Sequence, residues 1–334
     1  MSLQSNGDLQ STGEAVFVEA SARLHFGVLD LRGGLGRWFG GIGAAAPVPT
    51  LLVSACPADT LDVCGEDSER AARFARRILD HYGLKGRARL CVHRALPRHA
   101  GLGSGTQLAL AIARALMELH GGVPPDLSRL SRALGRAQRS AVGTWTFGGG
   151  GLVVEGGRRR ESDRIAPLLA RLPFPPAWRC VLAVPRTTSG VTGTTEAERF
   201  AKLPVPPERD VRRVAHLVLM ALLPALADAD LSTFGEALSS IQRITGRWFA
   251  PVQGGTFAPG PSRKLVRWMT EAGATGVGQS SWGPSVYGIV EGEDAGLRLA
   301  EHVRGRLGAA GTVYEGPFPA DGARVWRAPA RHVK

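Results

Sequence analysis

The chain has 334 residues, of which 44% are hydrophobic and 21% are charged, and its formal net charge is +12. These proportions are ordinary for a globular enzyme, the length suits two domains, and no window holds the roughly 18 uninterrupted apolar residues of a membrane helix. Four of the 41 basic residues are lysines, and aromatic residues seldom interleave with the arginine clusters. The composition therefore argues against a nucleic-acid binder, although the net charge keeps that alternative open.

The N-terminal stretch, residues 1–14, is polar and lacks the basic and apolar regions of a signal peptide, so we expect a disordered lead-in. The four cysteines form neither a CxxC pair nor a zinc-finger spacing: Cys56, Cys64, Cys91 and Cys180. This pattern predicts free thiols in the reducing cytosol, and hence a cytoplasmic protein with no membrane partner.

Alternation of apolar and polar residues predicts strands in the first half of the chain, over 15–20, 23–29, 50–56, 59–65 and 86–96. A helix is predicted over 68–83. A glycine-rich loop then precedes a helix whose apolar face carries Leu108, Ile112 and Leu116. A further helix is predicted over 127–138 and a strand, preceded by glycines, over 148–157.

An arginine- and proline-rich stretch over 157–178 is predicted as a linker. The second half then alternates between strands, predicted over 179–185, 284–292 and 312–316, and helices, predicted as two within 211–242 and one each over 262–273 and 295–307. We therefore expect an α+β fold with helices on one face of a sheet, domains over 15–165 and 166–330, and a site between them.

The glycine-rich loop is the first candidate site, in the stretch "LPRHAGLGSGT". Its glycines permit a close backbone approach, and the following helix presents its N-terminal N–H groups to an anion. We expect the loop and the start of the helix to bind a phosphate: Gly101, Leu102, Gly103, Ser104, Gly105, Thr106 and Gln107. The Walker A sequence G-K-[ST] is absent, and a tight strand-to-helix turn is the structural alternative.

The second candidate site is the stretch "ARLHFGVLDLRGGLGRWFGG". Arg23 and His25 alternate with apolar residues and so share one face of a strand, and Asp30 ends that strand. Together with Arg37 and the many glycines, they predict a site, although a lone strand histidine is also common in cores.

The third candidate is "GVGQSSWGPSVYG", in which Gln279, Ser280 and Ser281 precede a strand, and its structural alternative is a hairpin turn. The fourth is the stretch over 186–200, which is typical of a loop that closes over a substrate. Its threonines and serines are also good helix caps.

Taken together, these stretches resemble a known family. "PRHAGLGSGT" is similar to the phosphate-loop signature of the GHMP kinase superfamily, and "ARLHFGVLDLRGGLGRWFGGIG" with "SSWGPSVYG" resembles the β-ribofuranosylaminobenzene 5′-phosphate synthase family within it. The resemblance implies an N-terminal domain with a left-handed βαβ crossover and a ferredoxin-like C-terminal domain. It also implies a transferase of tetrahydromethanopterin biosynthesis that joins 4-aminobenzoate to phosphoribosyl pyrophosphate, with release of carbon dioxide and pyrophosphate and with Mg²⁺ assisting.

The resemblance further implies roles for the candidate residues. Arg23 and His25 are expected to contact a phosphate or the benzoate carboxylate, and Asp30 to assist the metal or the cation-like sugar. Ser280 and Ser281 would complete the cleft, and Trp38 or Phe39 near Arg37 would stack on the planar benzoate.

An ATP-dependent small-molecule kinase of the same superfamily is the main alternative. Such kinases carry a Ser-Gly-x-Asp element, but Trp145 stands in the corresponding position and no acid occurs from Ser128 to Val154. We therefore expect no ATP requirement, because an acceptor hydroxyl would lack a nearby base. We expect the face of Trp145 to pack against a planar ring of the substrate. The expected partners are small molecules. The sequence leaves open whether the protein forms a homodimer.

Overall fold

The computed structural model describes residues 13–122, 126–186 and 198–330, which form two β-sheets with helices packed on them. The strands are β1 Glu14–Asp30, β2 Arg37–Cys56, β3 Leu61–Gly65, β4 Ala88–Arg94, β5 Leu152–Glu155, β6 Arg158–Arg159, β7 Leu168–Leu172, β8 Trp178–Pro185, β9 Thr275–Gln279, β10 Val286–Glu291, β11 Gly311–Pro317 and β12 Arg324–Pro329. The α-helices are α1 Ser68–Tyr82, α2 Ser104–Leu119, α3 Leu127–Ala133, α4 Val142–Gly149, α5 Glu208–Leu217, α6 Leu223–Ala227, α7 Leu231–Gln253, α8 Pro261–Glu271 and α9 Glu293–Leu307, with a π-helical turn, Val218–Leu222, between α5 and α6.

The first sheet is built on a long β1–β2 hairpin. Its strand order is β12-β1-β2-β4-β3, and β5 joins β2 to β7. The two strands predicted over 15–20 and 23–29 are one strand, because bulges between Ser21 and Arg23 and between His25 and Gly27 absorb the change of register. The glycine-rich stretch that follows Asp30 belongs to β2 from Arg37 onward.

The segment after α2 differs most from the sequence prediction. The helix predicted over 127–138 ends at Ala133, because Gly135 (φ 64°) and Ala137 (φ 57°) adopt left-handed conformations that cannot continue it. The first two glycines before β5, Gly148 and Gly149, form the end of α4, which the sequence reading missed. The chain therefore forms two short helices, α3 and α4, between α2 and β5.

The second sheet is antiparallel, with the order β11-β8-β10-β9. This order, with helices between β8 and β9 and between β10 and β11, is the ferredoxin-like arrangement. The predicted linker contains β6 and β7. Both β7 and β12, which come from the range predicted for the second domain, pair in the first sheet.

One hydrophobic core connects the two sheets. Helix α7 packs against β1 of the first sheet and against β9 and β10 of the second, and its Phe234 lies on the fully buried Trp178 of β8, with ring centroids 5.0 Å apart. Burying each such side chain contributes roughly 1.5–3 kcal/mol, so this helix fixes how the sheets meet.

None of the helices in the described ranges is long and apolar enough to cross a membrane. The four cysteines lie within those ranges and form no disulfide.

Candidate functional site

A cavity of about 240 Å³ lies where the glycine loop, β1 and α7 meet. Its wall is formed by three arginines, four aromatic residues, uncharged polar residues and small residues: Arg23, His25, Gly27, Val28, Phe39, Thr106, Gly135, Arg136, Ala137, Gln138, Arg139, Ser140, Phe200, Gln242, Thr245, Gly246, Phe249, Gln253, Thr256, Gln279, Ser281 and Trp282. Five of the predicted site residues are therefore brought together here: Arg23, His25, Thr106, Gln279 and Ser281.

Three of the predicted stretches are joined by hydrogen bonds behind the cavity. The Ser280 hydroxyl accepts from the His25 backbone N–H (3.0 Å) and donates to the Gly101 carbonyl (2.7 Å). The same carbonyl accepts from Arg23 Nη1 at 2.7 Å. A Cβ on Gly101 would collide with the Ser280 carbonyl, so glycine is needed for this approach. Ser280 therefore positions the other groups.

The glycine loop ends at Gly103, the N-cap of α2, which adopts a φ of 74°. A Cβ at Gly103 would lie 2.6 Å from Cγ of Arg23, so the arginine side chain passes directly over the loop. Among the described residues no side chain caps this helix, and its first N–H groups and dipole favour an anion. Arg136 donates to the Thr106 hydroxyl at 3.3 Å, which brings a second guanidinium to the same end of α2.

His25 lines the cavity as a neutral imidazole. Burial, followed by the neighbouring Arg23 guanidinium, lowers the pKa of His25 to about 3. A neutral histidine has one donor and one acceptor nitrogen, so it can bind a polar substituent of a ligand. It adds no charge to the anion site.

Four aromatic side chains form one wall of the cavity, and this aromatic wall comprises Phe39, Phe200, Phe249 and Trp282. Trp282 makes edge contacts with Phe200 (5.4 Å between ring centroids) and Phe249 (5.1 Å), and Phe39 makes one with Phe200 (5.9 Å). Phe39 adopts a φ of 72°, a conformation that costs roughly 1–2 kcal/mol for such a residue and that sets the direction of its side chain. The wall offers apolar surface to a planar ring.

Arg139 lies against the aromatic wall, with its guanidinium carbon 4.8 Å from the centre of the Phe200 ring. The segment that carries it is held by a buried carboxylate, because Oε1 of Glu155 accepts from the N–H groups of Ala141 (3.0 Å) and Gly41 (2.9 Å). Burial raises the pKa of Glu155 to about 7, and the hydrogen bonds from Ala141, Gly41 and Ser140 limit the rise. Glu155 follows directly after the acid-free stretch and does not line the cavity.

Uncharged amides hold the α7 side of the site. Gln242 donates to the Phe26 carbonyl and accepts from the Gln279 N–H at 3.0 Å. Gln279 in turn accepts from the Ala258 N–H (2.7 Å) and donates to the Ser281 carbonyl (3.0 Å). These bonds connect α7, β1 and β9, so the cavity has a fixed floor.

Three predicted site residues outside the glycine loop neither line the cavity nor take part in the hydrogen bonds behind it. Asp30 Oδ1 accepts from the N–H groups of Arg32 (2.5 Å) and Gly33 (2.9 Å) and so closes the β1–β2 turn. Asp30 lies seven positions further along β1 than Arg23, a distance of roughly 23 Å. The structure thus does not bring Asp30 into the cleft with Arg23, and its chemical role stays a prediction.

Arg37 and Trp145 are the other two. Arg37 donates to the Gly157 carbonyl at 2.8 Å. Trp145 donates from Nε1 to the Ala166 carbonyl at 3.0 Å and packs with Ala141 and its neighbours. Trp145 is not part of the aromatic wall, whereas Phe39 is, and the binding of a planar ring by either residue stays a prediction. Trp38 has Arg160 over its ring at 4.6 Å and is not in the wall.

The remaining loop residues lie behind the cavity. Leu102 is buried and its carbonyl accepts from the Arg23 N–H at 3.0 Å. Gln107 is buried and donates to the Gly143 carbonyl at 2.9 Å, which joins α2 to α4. Ser104 and Gly105 form the first turn of α2 beside Thr106.

The sequence reading missed the arginines that follow α3 and most of the aromatic wall. Arg136 and Arg139 fall in and just after the range predicted as helix, where the glycine at 135 is the local signal. Trp282 lies inside the third candidate stretch, "GVGQSSWGPSVYG". The closing loop predicted over 186–200 lies outside the described residues for 187–197.

The described side chains of the site do not form a magnesium site of their own. Magnesium prefers carboxylate oxygens together with substrate phosphates. The described lining residues include no carboxylate, and the described residues contain no cluster of three His, Cys, Asp or Glu suited to a metal.

Comparison with known families matches residues 69–148 to the GHMP kinases N terminal domain and residues 222–309 to the GHMP kinases C terminal domain. Two curated relatives are named beta-ribofuranosylphenol 5′-phosphate synthase. The one from Methanothermobacter thermautotrophicus is 33% identical over 83% of this chain and 89% of its own length. The one from Archaeoglobus fulgidus is 36% identical over 83% of this chain and 88% of its own length.

Solved structures of the same fold include a homoserine kinase from Cytophaga hutchinsonii, with a TM-score of 0.68 at 17% identity over 96% of this chain and 100% of that one. Mevalonate diphosphate decarboxylase from Staphylococcus aureus has a TM-score of 0.60 at 15% identity over 94% of this chain and 98% of that one. The predicted α+β fold with GHMP-kinase-like domains is confirmed.

Proposed function

Because the chain belongs to the β-ribofuranosylphenol 5′-phosphate synthase family, a family of enzymes with GHMP kinase domains, we propose that it joins phosphoribosyl pyrophosphate to a 4-substituted benzoate. The C1–O bond of the donor breaks and pyrophosphate leaves with the electron pair. The ring carbon that bears the carboxylate bonds to C1 of the ribose. The bond to the carboxylate then breaks, its electrons restore the aromatic ring, and carbon dioxide leaves.

The donor end of the cavity is the start of α2. Arg23 and Arg136 both lie against this end of α2, where they and the N–H groups of the helix would bind a phosphate group of the donor. Departure of pyrophosphate builds negative charge on the leaving group, and fixed positive groups in a protected cavity stabilise that charge more than they stabilise the intact donor.

The acceptor end is the aromatic wall. A benzoate ring placed against Phe200, Phe249 and Trp282 would be shielded from water, which would otherwise trap the cation-like sugar. Arg139, over the Phe200 ring, would attract the benzoate anion to this wall. The neutral His25 can bind the polar 4-substituent, whose lone pair donates electrons to the reacting carbon.

One observation carries this proposal: the cavity joins an anion site to an aromatic wall and, among the described residues, has no carboxylate in its lining. A phosphoryl transfer to an alcohol benefits from a base that accepts the hydroxyl proton. The proposed reaction releases carbon dioxide in place of a proton, so it needs no such base. ATP is accordingly not required.

For the aromatic substrate we propose 4-aminobenzoate, which would place the enzyme in tetrahydromethanopterin biosynthesis. The names of the relatives denote a ribosyl phenol, which a 4-hydroxybenzoate would give. Both acids present the same carboxylate and ring to the cavity. A comparison of kcat/KM for the two acids decides between them.

Magnesium, in this proposal, arrives as part of the substrate. Since the described residues do not form a magnesium site, the ion would be held by the pyrophosphate of the donor, and the side chains would bind the complex. The roles proposed for Arg23, Arg136 and Arg139 do not depend on the metal.

The test is pyrophosphate release in the presence of the donor and 4-aminobenzoate. Release should require both substrates and should fall by about tenfold or more in Arg139→Gln, mainly through KM for the benzoate. Arg267→Gln, an exposed arginine on α8, is the matched control and should retain full activity. Release that is independent of the benzoate would contradict the proposal.

A further inference from the structure

An outer pocket of about 690 Å³ adjoins the cavity and shares residues 135–138 with it. It lies between α1, α3 and the stretch that follows β5. Six arginines line it: Arg77, Arg129, Arg132, Arg136, Arg158 and Arg164. Among the described lining residues the acidic one is Asp163.

Two of these guanidinium groups are held in place by carbonyl oxygens. Arg77 Nε donates to the Ala133 carbonyl at 2.6 Å, and Arg158 donates to the carbonyls of Gln138 and Ser162, both at 2.8 Å. A carbonyl oxygen orients a guanidinium but brings no net charge to neutralise it. The guanidinium groups of Arg77 and Arg158 are therefore held in place while their positive charges are not neutralised by these partners.

The backbone is shaped around Arg77. Gly135 adopts a φ of 64°, and a Cβ there would lie 2.9 Å from both terminal nitrogens of Arg77. A larger residue would displace the guanidinium or the turn. This close approach distinguishes the pocket from a solvated arginine surface.

The acidic groups near the pocket compensate little of its charge. Arg132 pairs with Asp163 at 2.7 Å, and Arg129 pairs with Asp126 at 3.1 Å, but the carboxylates are 73% and 58% exposed. Exposed ion pairs contribute only about 0–1 kcal/mol, so a more highly charged anion can compete with these carboxylates.

We propose that the outer pocket is a second anion site, which binds phosphate or pyrophosphate next to the catalytic cavity. Guanidinium groups at fixed positions match the oxygens of phosphates in paired hydrogen bonds. The shared wall of residues 135–138 carries Arg136, which donates to Thr106 at the start of α2, so the two sites are neighbours. The anion is either the pyrophosphate that leaves the cavity or free phosphate.

The experiment is calorimetric titration of the full chain with inorganic pyrophosphate. Two equivalents should bind, and Arg158→Gln and Arg164→Gln should each weaken one of them by about tenfold, since a hydrogen bond to a charged group contributes about 1.5–3 kcal/mol. Arg164 is exposed, so its replacement keeps the test valid if Arg158→Gln disturbs the wall. Arg267→Gln is the control and should bind both equivalents as the wild type does.

Gly103→Val separates this proposal from the proposed function, because it alters the donor site alone. If the donor site does not bind pyrophosphate, the wild type binds one equivalent, and Arg158→Gln and Arg164→Gln each weaken the binding of that equivalent. The proposal is overturned if one equivalent binds and Gly103→Val removes it, or if both outer-pocket variants bind as the wild type does. Tighter binding of pyrophosphate than of orthophosphate identifies the product as the ligand, and equal binding identifies free phosphate.

Discussion

Replacement of the buried Glu155 by glutamine should change how the stability of the protein depends on pH. Burial raises the pKa of this carboxyl from 4.5 to about 7. In the unfolded chain the carboxyl ionises near its ordinary value, whereas the folded protein keeps the proton until about pH 7. The wild type therefore loses stability as the pH rises from the unfolded-state pKa towards the folded-state pKa. Below the unfolded-state pKa, the full stabilising contribution of the protonated Glu155 is present.

The glutamine of the Glu155→Gln variant cannot ionise, yet its side-chain oxygen can still accept from the N–H groups of Gly41 and Ala141. The difference in unfolding free energy between variant and wild type isolates Glu155, because other groups such as His25 contribute equally to both. For pKa values of 4.5 and about 7, the variant should gain roughly 2.5 kcal/mol relative to the wild type between about pH 5 and pH 8.

Urea unfolding at several pH values, followed by tryptophan fluorescence, measures this difference. Glu271→Gln, at a carboxyl that is 55% exposed, is the matched control for the loss of a charge. Stability curves that run parallel for Glu155→Gln and the wild type would refute the reasoning, since they would show that the buried carboxyl does not retain its proton. A variant that loses stability relative to the wild type as the pH rises would refute it as well.

Gly103→Val should raise KM for the donor or abolish turnover while the protein still folds, because its side chain would displace Arg23; unchanged donor binding in steady-state kinetics would contradict this. Trp282→Ala should raise KM for the benzoate by about tenfold or more, from the loss of ring contacts, and leave KM for the donor within about threefold. His25→Gln should leave the shape of the pH–rate profile unchanged between about pH 5 and pH 9, because the pKa of His25 is lowered to about 3; disappearance of a titration step would show that His25 ionises there. ATP with small alcohols should give no phosphorylated product by mass spectrometry, and turnover at ordinary enzyme rates would restore the kinase alternative.

The sequence was most informative where a pattern is local. Alternation predicted the strand over 15–20, which the structure has within β1, and the glycine loop was expected directly before α2, where the structure has it. Arg23 and His25 were expected on one strand face, and both line the cavity. These features depend on residues close together in the chain.

The rest of the site depends on contacts between distant residues. Phe39, Phe200, Phe249 and Trp282 come from separate parts of the chain, and no local pattern indicates that they meet. Asp30 belongs to the same strand as Arg23, but an extended strand carries it away from the cavity. β12 was also missed, because its pairing with β1 joins opposite ends of the chain.

The central claim is that the enzyme couples loss of pyrophosphate to loss of the benzoate carboxylate. The direct measurement uses phosphoribosyl pyrophosphate and 4-aminobenzoate labelled in its carboxyl group, with ATP omitted. We predict labelled carbon dioxide in equal amount to released pyrophosphate and to a ribosylated arene that has lost the label. A ribosylated product that keeps the labelled carboxylate, or turnover that requires ATP, would contradict the account.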